Sequence, residues 1–175
     1  DFVPLAKLED VVFGGWDVYE DNVYEAASNA QVLEQGQLDA VKAELEAIQP
    51  MKAVFDRNFV KNLDGTHIKS EKTRRELADA VQRDIREFKE KNGLDRVVLV
   101  WCGSTERYIE TNEAFSTLAK LEEALDNDDQ RIPPSMIYCY AALKEGAPYV
   151  NGAPNLTCDV PAIVELAHEN GVAIA

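Results

Sequence analysis

The stretch Val97-Val98-Leu99-Val100-Trp101-Cys102-Gly103-Ser104-Thr105 decides the fold, because it joins an unbroken apolar run to a run of small residues. Such an apolar run is typical of a strand that is buried on both faces of a parallel sheet. The small polar residues follow at the point where the strand would leave that sheet. Ligands of parallel α/β sheets bind beyond the carboxyl ends of the strands, so this turn is the first candidate for a site.

Short apolar runs and helical patterns alternate on both sides of this strand. Residues 11–13 and 51–55 predict two further strands, and residues 172–175 predict a strand that enters the sheet. Apolar residues at helical spacing predict helices that begin near positions 22, 37, 70, 112, 133 and 159. The alternation predicts an α/β fold with a parallel sheet that is flanked by helices.

Composition argues against several classes of partner and site. The formal net charge is -14, whereas a nucleic-acid or anionic membrane surface needs Lys and Arg to neutralise phosphates. No apolar run approaches the ~20 residues that span a bilayer. The 3 cysteines lack a C-x-x-C pattern and there are only 2 histidines, so neither a disulfide framework nor a metal site is expected. The same cysteine usage indicates a reducing compartment, and we expect the cytoplasm.

The turn Cys102-Gly103-Ser104-Thr105 has the composition of a ligand-binding turn. Small residues let a ligand approach the backbone, and successive N–H groups can form a concavity that binds anions. An ordinary strand-to-helix turn is the alternative. Cys102 is not favoured as a nucleophile, because no histidine base lies near it in the sequence.

Two further turns are candidates for ligand contact. Asp17, in Gly14-Gly15-Trp16-Asp17, can accept hydrogen bonds from ribose hydroxyls, and the alternative is an acid that caps the next helix. Gly152 and Ala153, in Asn151-Gly152-Ala153-Pro154, can lie against a flat ligand, and the alternative is a plain loop. The chain has no G-x-G-x-x-G, so in a dinucleotide-binding fold the first βα unit would lie upstream of Asp1.

Four motifs together resemble one known family, the myo-inositol-1-phosphate synthases. They are Phe13-Gly14-Gly15-Trp16-Asp17-Val18, Arg83-Asp84-Ile85-Arg86-Glu87-Phe88-Lys89, Thr105-Glu106-Arg107-Tyr108, and Pro148-Tyr149-Val150-Asn151-Gly152-Ala153-Pro154. Each motif alone is modest, whereas the ordered set is specific and covers essentially the whole chain. The short linker near Asp64 resembles the prokaryotic type.

This resemblance implies a fold and an activity for the parent protein. Residues 1–175 would be part of a single NAD-binding Rossmann-type domain. The family converts D-glucose 6-phosphate to 1L-myo-inositol 1-phosphate in inositol and phospholipid biosynthesis. Bound NAD oxidises C5, an enol attacks the C1 aldehyde, and NADH reduces the resulting ketone. The reaction has no net redox change, so the parent would be an isomerase, and the family implies a homo-tetramer.

The resemblance also implies a share of the NAD site in this chain. Asp17 would bind the adenosine ribose, and the other cofactor-lining residues would be Cys102, Gly103, Ser104, Thr105, Gly152 and Ala153. The turns at Asp17, Ser104 and Gly152 would then form one wall of the cofactor cleft. Two departures bear on side-chain contacts. The family usually has Thr-Ala-Asn before T-E-R-Y where this chain has Cys-Gly-Ser, and it often has Ser in place of Ala153.

The catalytic machinery of the family is expected outside this sequence. The resemblance implies a glycine-rich NAD loop upstream, and a G-D-D-x-K-[ST]-G-Q-T motif with the catalytic lysines downstream of Ala175. No residue here is assigned a catalytic role. Two alternatives remain open at this point: another NAD-dependent sugar-phosphate oxidoreductase, or a non-catalytic nucleotide-binding module. A G-D-D-x-K-[ST]-G-Q-T continuation after Ala175 in the natural protein would favour the synthase over the first alternative, and absence of any NAD-site glycine loop in the full gene would favour the second.

We therefore expect the isolated 175-residue chain not to turn over glucose 6-phosphate. Hydride transfer requires both cofactor and substrate to be held in one closed site, and the phosphate-binding lysine cluster is missing. The measurement is a direct assay for inositol phosphate with the chain, glucose 6-phosphate and added NAD. Measurable product above that of a heat-denatured control would contradict this expectation.

Overall fold

The computed structural model describes residues 5–103 and 106–175. The predictions for Ser104 and Thr105 lie outside the described residues. The chain forms two compact units. The first comprises the described residues up to 53 together with 65–68, and the second comprises residues 54–64 and the described residues from 69 to 175.

The first unit is built from short elements. They are a 3-10 helix at Leu8–Asp10, β1 at Trp16–Asp17, α1 at Val23–Ala30, α2 at Gln35–Ala40, α3 at Lys42–Glu46 and β2 at Met51–Lys52. β1 and β2 run parallel, with Trp16 opposite Met51, and Ala53 makes a further parallel bridge to Ile68. A parallel arrangement is what an α/β fold requires of strands that are joined by helices.

Two sequence predictions for this unit are wrong in detail. Residues 11–13 form no strand, and the paired strand begins only at Trp16. The side chains of Val11, Val12 and Phe13 are exposed, so burial within the unit does not stabilise a strand there. The helix predicted from residue 37 onward is interrupted at Val41, whose backbone is not helical, and the chain forms α2 before Val41 and α3 after it. Leu38 is the only buried residue of these two helices, so little packing holds them as one.

The second unit contains the larger core. Its elements are α4 at Arg74–Lys91, β3 at Leu99–Trp101, a 3-10 helix at Glu113–Phe115, α5 at Leu118–Asp126, α6 at Pro134–Lys144, β4 at Tyr149–Asn151 and α7 at Pro161–Asn170. β3 and β4 are parallel, with Leu99 opposite Tyr149 and Trp101 opposite Asn151. α6 is buried on all sides up to Leu143 and packs against α4, α7 and both strands.

The helices of this unit follow their sequence signals closely. α4 buries Val81 and Ile85, and it ends at Asn92 and Gly93. The helix predicted to begin near residue 70 is capped by Thr73, because Thr73 and Glu76 form a capping box. α6 begins at Pro134, and α7 begins at Pro161, where a missing N–H costs nothing. The helix predicted near 112 is divided into the 3-10 helix and α5.

The sheet of this unit differs from the prediction in three respects. The stretch 97–101 is not buried on both faces, because Leu99 is 6% exposed while Val98 and Val100 are 56% and 59% exposed. Alternate residues of a strand face opposite sides, and only the Leu99 side packs on α6 within this unit. Residues 149–151, for which no strand was predicted, form β4, so the predicted turn at 151–154 begins at the last residue of a strand. The strand predicted at 172–175 is reduced to an isolated parallel bridge between Tyr149 and Ile174.

The two parallel pairs and their flanking helices confirm the α/β class. Within the described part of the chain, no helix is both long enough and apolar enough to cross a membrane.

We expect Val160→Ala to lower the free energy of unfolding of the second unit by about 2 kcal/mol, because the side chain is fully buried and its removal leaves a cavity. The matched control is Val98→Ala, which deletes the same atoms at an exposed position outside the helices and strands. Its cost should stay below about 0.5 kcal/mol. Urea unfolding followed by far-UV circular dichroism measures both, and equal costs would contradict the described core.

Candidate functional site

The turns that follow β3 and β4 lie side by side. The backbone N–H of Gly152 donates a hydrogen bond of 2.9 Å to the carbonyl oxygen of Trp101. Because β3 and β4 are parallel neighbours, the segments that follow them leave the sheet at the same edge. The structure therefore brings together two predicted pairs of site residues, Cys102 with Gly103 and Gly152 with Ala153.

Glycine is required sterically at both turns. A Cβ atom at position 152 would lie 2.9 Å from the carbonyl oxygen of Trp101, and one at position 103 would lie 2.6 Å from Cζ2 of the Trp101 ring. The Trp101 ring itself packs against Tyr138, with 5.5 Å between ring centroids, so it has little freedom to move away. Both turns therefore present bare backbone, which is the surface that a flat or phosphate-bearing ligand can approach closely.

The second turn is fixed by its own side chain. Asn151 donates through Nδ2 to the carbonyl oxygen of Asn155 at 2.8 Å, and its Oδ1 accepts from the N–H of Ala153 at 3.2 Å. Gly152 is exposed and Ala153 is half-buried. The turn is thus held open to a ligand rather than being packed into the core.

Asp17 lies in the first unit, at the end of β1, and its side chain is exposed. One carboxylate oxygen accepts a hydrogen bond from the N–H of Tyr19 at 3.0 Å. The alternative that Asp17 caps the next helix is wrong, because Asn22 caps α1 and forms a capping box with Glu25. The carboxylate of Asp17 therefore keeps acceptor capacity for a hydroxyl-bearing ligand.

A buried polar network lies beside the two turns of the second unit, and sequence reasoning gave its members no role. Glu106 is 8% exposed, and its Oε2 accepts from the backbone N–H of Ser135 at 2.9 Å. Its Oε1 accepts from the hydroxyl of Ser135 and, at 2.7 Å, from Nδ2 of Asn155. The hydroxyls of Ser135 and Thr157 are 2.9 Å apart. This network joins the segment after β3, the start of α6 and the turn after β4.

Burial and hydrogen bonding act in opposite directions on Glu106. Burial raises the pKa of the Glu106 carboxyl, while the hydrogen bonds from Ser135 and Asn155 lower it, and the effect of burial is the larger. Burial also raises the pKa of the neighbouring phenol of Tyr149, whose hydroxyl donates to the carbonyl oxygen of Ser135 at 3.2 Å. Burial therefore disfavours the charged forms of both Glu106 and Tyr149.

No pattern in the sequence marks this network. Glu106 stands in the sequence only as part of the motif Thr105-Glu106-Arg107-Tyr108, and Ser135 lies in none of the four motifs. A charged residue in a polar segment is ordinarily exposed, and burial depends on contacts between residues 20 to 50 positions apart along the chain.

A family model described as myo-inositol-1-phosphate synthase matches residues 1–175. The chain belongs to the myo-inositol-1-phosphate synthase family. The matching model is that of an NAD-binding domain, which confirms NAD as the expected cofactor of the family. The family prediction, which rested on four short motifs, is likewise confirmed.

Relatives from several kingdoms are similar over nearly the whole chain. An inositol-3-phosphate synthase of Bacteroides thetaiotaomicron is 51% identical over 100% of this chain and 41% of its own length. The enzyme of Brassica napus is 36% identical over 98% of this chain, and that of Saccharomyces cerevisiae is 33% identical over 99%, each over 34% of its own length. The higher identity to the bacterial protein agrees with the predicted prokaryotic type. The chain thus spans about two fifths or less of these relatives.

The fold agrees with that of a solved family member. The crystal structure of inositol-3-phosphate synthase from Caenorhabditis elegans superimposes with a TM-score of 0.93 at 29% identity, over 99% of this chain and 35% of that chain. This agreement confirms that the present chain has the Rossmann-type α/β fold class.

The raised pKa of Glu106 predicts a particular pH dependence of stability. Since the folded-state pKa lies above the ordinary value of 4.5, the native chain binds this proton more tightly than the unfolded chain does. Its stabilising contribution is complete below that ordinary value and is lost as the pH rises through the folded-state pKa. Glu106→Gln stays neutral, so the free energy of unfolding of the wild type minus that of the variant should decrease from about pH 5 to about pH 8.

Urea unfolding at a series of pH values measures this difference, and the exposed Glu110→Gln is the matched control that should show no such trend. A difference that instead grows with pH would mean that the hydrogen-bond donors outweigh burial.

Proposed function

We propose that this chain supplies one wall of the NAD site of a myo-inositol-1-phosphate synthase. The observation that carries the proposal is the pairing of the Gly152 N–H with the Trp101 carbonyl oxygen, which sets two bare-backbone turns at one edge of a parallel sheet. Cofactors of Rossmann-type sheets bind beyond the carboxyl ends of the strands. Both compact units are assigned to one NAD-binding domain that covers residues 1–175.

The residues present fit such a cofactor. Gly103 and Gly152 present no side chain and pack their backbone directly against Trp101, and Cys102 and Gly152 are exposed. Among the described residues, Oδ1 of Asn155 and Nε1 of Trp101 are buried without a hydrogen-bond partner. Both atoms belong to residues that hold the two turns.

Each site residue receives a role in this proposal. Cys102, Gly103, Gly152 and Ala153 would line the cofactor through their backbone, and the resemblance extends this lining to Ser104 and Thr105. Asp17 would accept hydrogen bonds from the adenosine ribose hydroxyls, as acidic residues do in dinucleotide folds. Ala153 has no hydroxyl, so its contribution would be steric. Cys102 would act by its small size and backbone rather than as a nucleophile.

For the whole protein we propose the conversion of D-glucose 6-phosphate to 1L-myo-inositol 1-phosphate. Bound NAD would supply a hydride acceptor that later returns the hydride, so the reaction would have no net redox change. The family membership and the inositol-3-phosphate synthase names of the relatives support this assignment. A homo-tetramer is proposed from the family resemblance.

A cytoplasmic location is proposed from the cysteines. All of Cys102, Cys139 and Cys158 are free. Burial raises the pKa of the Cys139 thiol, and Cys158 is its hydrogen-bond partner. Cysteines that form no disulfide bond fit a reducing compartment.

The proposal is tested by NAD titration of the natural protein that carries this sequence. Gly152→Ala should raise the Kd for NAD about tenfold or more, because the added Cβ forces the second turn away from Trp101. The matched control is Gly36→Ala, where a Cβ meets nothing within 4 Å and φ is not positive. It should leave the Kd unchanged. Equal affinities of the two variants, with both folded, would contradict the proposed site.

A further inference from the structure

We propose that Glu106 is a positioning residue of this cofactor site: its buried carboxylate fixes how the turn after β4 lies against the segment after β3. The inference rests on the proposed NAD function, which it deepens. Glu106 follows the predicted site segment Cys102–Thr105 directly in the sequence. It is not expected to touch the cofactor, since its two oxygens are engaged inside the protein.

The carboxylate connects two separate parts of the chain. Oε2 accepts from the backbone N–H of Ser135, in the first turn of α6, at 2.9 Å. Oε1 accepts from Nδ2 of Asn155, in the turn after β4, at 2.7 Å. A negative charge at the start of a helix is favourable, which offsets part of the cost of burying the carboxylate. The carboxylate thereby bridges α6 and the second turn, beside the direct hydrogen bond from Nδ2 of Asn155 to Oγ of Ser135 at 2.9 Å.

A continuous set of hydrogen bonds leads from Glu106 to the proposed cofactor-lining residues. Asn155, which donates to Glu106, also accepts through its carbonyl oxygen from Nδ2 of Asn151. Oδ1 of Asn151 in turn accepts from the N–H of Ala153. Gly152 lies between these two residues and is tied to the Trp101 carbonyl oxygen. A displacement of Asn155 therefore changes the geometry at Gly152 and Ala153.

Every partner of the carboxylate is a hydrogen-bond donor. The Ser135 N–H can only donate, and Nδ2 of Asn155 can only donate. The hydroxyl of Ser135 also donates to Oε1 and is held beside Thr157. An amide at position 106 can satisfy the Ser135 N–H through its oxygen, but its NH2 group then faces Nδ2 of Asn155. Rotation of the Asn155 amide would break the hydrogen bond from its Nδ2 to Oγ of Ser135. Two buried donors that face each other each lack an acceptor, and this lowers the stability of that arrangement.

This donor pattern separates a positioning role from a purely structural one. Glu106→Gln keeps the size of the side chain and places its NH2 group against Asn155, so it should loosen the second turn. Adding Asn155→Asp replaces the opposing donor with an acceptor. The double variant therefore restores complementary hydrogen bonding, with the amide at position 106 and the carboxylate at position 155. A purely structural role would change stability without changing the affinity of the folded protein for NAD.

The experiment compares the natural full-length protein with three full-length variants. They are Glu106→Gln, the double variant Glu106→Gln with Asn155→Asp, and Glu110→Gln as the matched control at an exposed position of the same segment. The first readout is amide hydrogen exchange of residues 152–157 without NAD. The second is the Kd for NAD, measured by titration at a pH and temperature at which all four are folded.

We expect Glu106→Gln to speed exchange at residues 152–157 and to raise the Kd for NAD about tenfold, which corresponds to ~1.4 kcal/mol. The double variant should return both values to within about threefold of the wild type, a difference below ~0.7 kcal/mol. Glu110→Gln should change neither. Faster exchange with an unchanged Kd would overturn the positioning role, and so would a double variant no better than Glu106→Gln.

Two further outcomes are distinguishable. If Glu106→Gln does not fold, Ser135→Ala takes its place. It removes the hydroxyl that donates to Oε1 of Glu106 and accepts from Nδ2 of Asn155, and it leaves the bonds from the Ser135 N–H and from Asn155 to the carboxylate intact. It should raise the Kd by a smaller factor, and an unchanged Kd would overturn the role. A wild type that does not bind NAD would contradict the proposed function, whereas unchanged exchange in Glu106→Gln would contradict the positioning role alone.

Discussion

The parallel pairing of β3 with β4 is the constraint on which the candidate site depends. It places Trp101 opposite Asn151, so the segments that follow β3 and β4 leave the sheet at one edge. The hydrogen bond from Gly152 to Trp101 then extends the pairing by one residue into the turns. A shift of register by one residue would reverse the faces of every side chain in β4. It would bury Gly152 or move it away from Cys102, and the two turns would no longer meet.

α6 is the element that secures this pairing. Its apolar residues are buried all round, and it lies against β3, β4, α4 and α7. Prolines 133 and 134 fix where it begins, and the first turn presents the Ser135 N–H to Glu106. The same helix thus supports the two strands and provides the anchor for the loops at their edge. Packing and site geometry in the second unit share one set of contacts.

The buried network adds specificity of arrangement at some cost in stability. Burial of Glu106 raises the pKa of its carboxyl, so the charged form is disfavoured relative to water. The hydrogen bonds from Ser135 and Asn155 offset part of that cost. Polar networks of this kind are tolerated where they are nearly complete and where a unique geometry matters. The proposed cofactor wall requires a unique geometry, because it consists largely of bare backbone whose shape is set by neighbouring side chains.

The sequence by itself determined the α/β class, the family and most helix ends, because these depend on local signals: apolar periodicity, prolines at helix starts, and glycines at helix ends. It also marked the two turns around Gly103 and Gly152. Only the tertiary structure decided that residues 149–151 are a strand, that Val98 and Val100 are exposed, and that Glu106 is buried between Ser135 and Asn155. Those features depend on which distant segments come into contact, and no local pattern records such a contact.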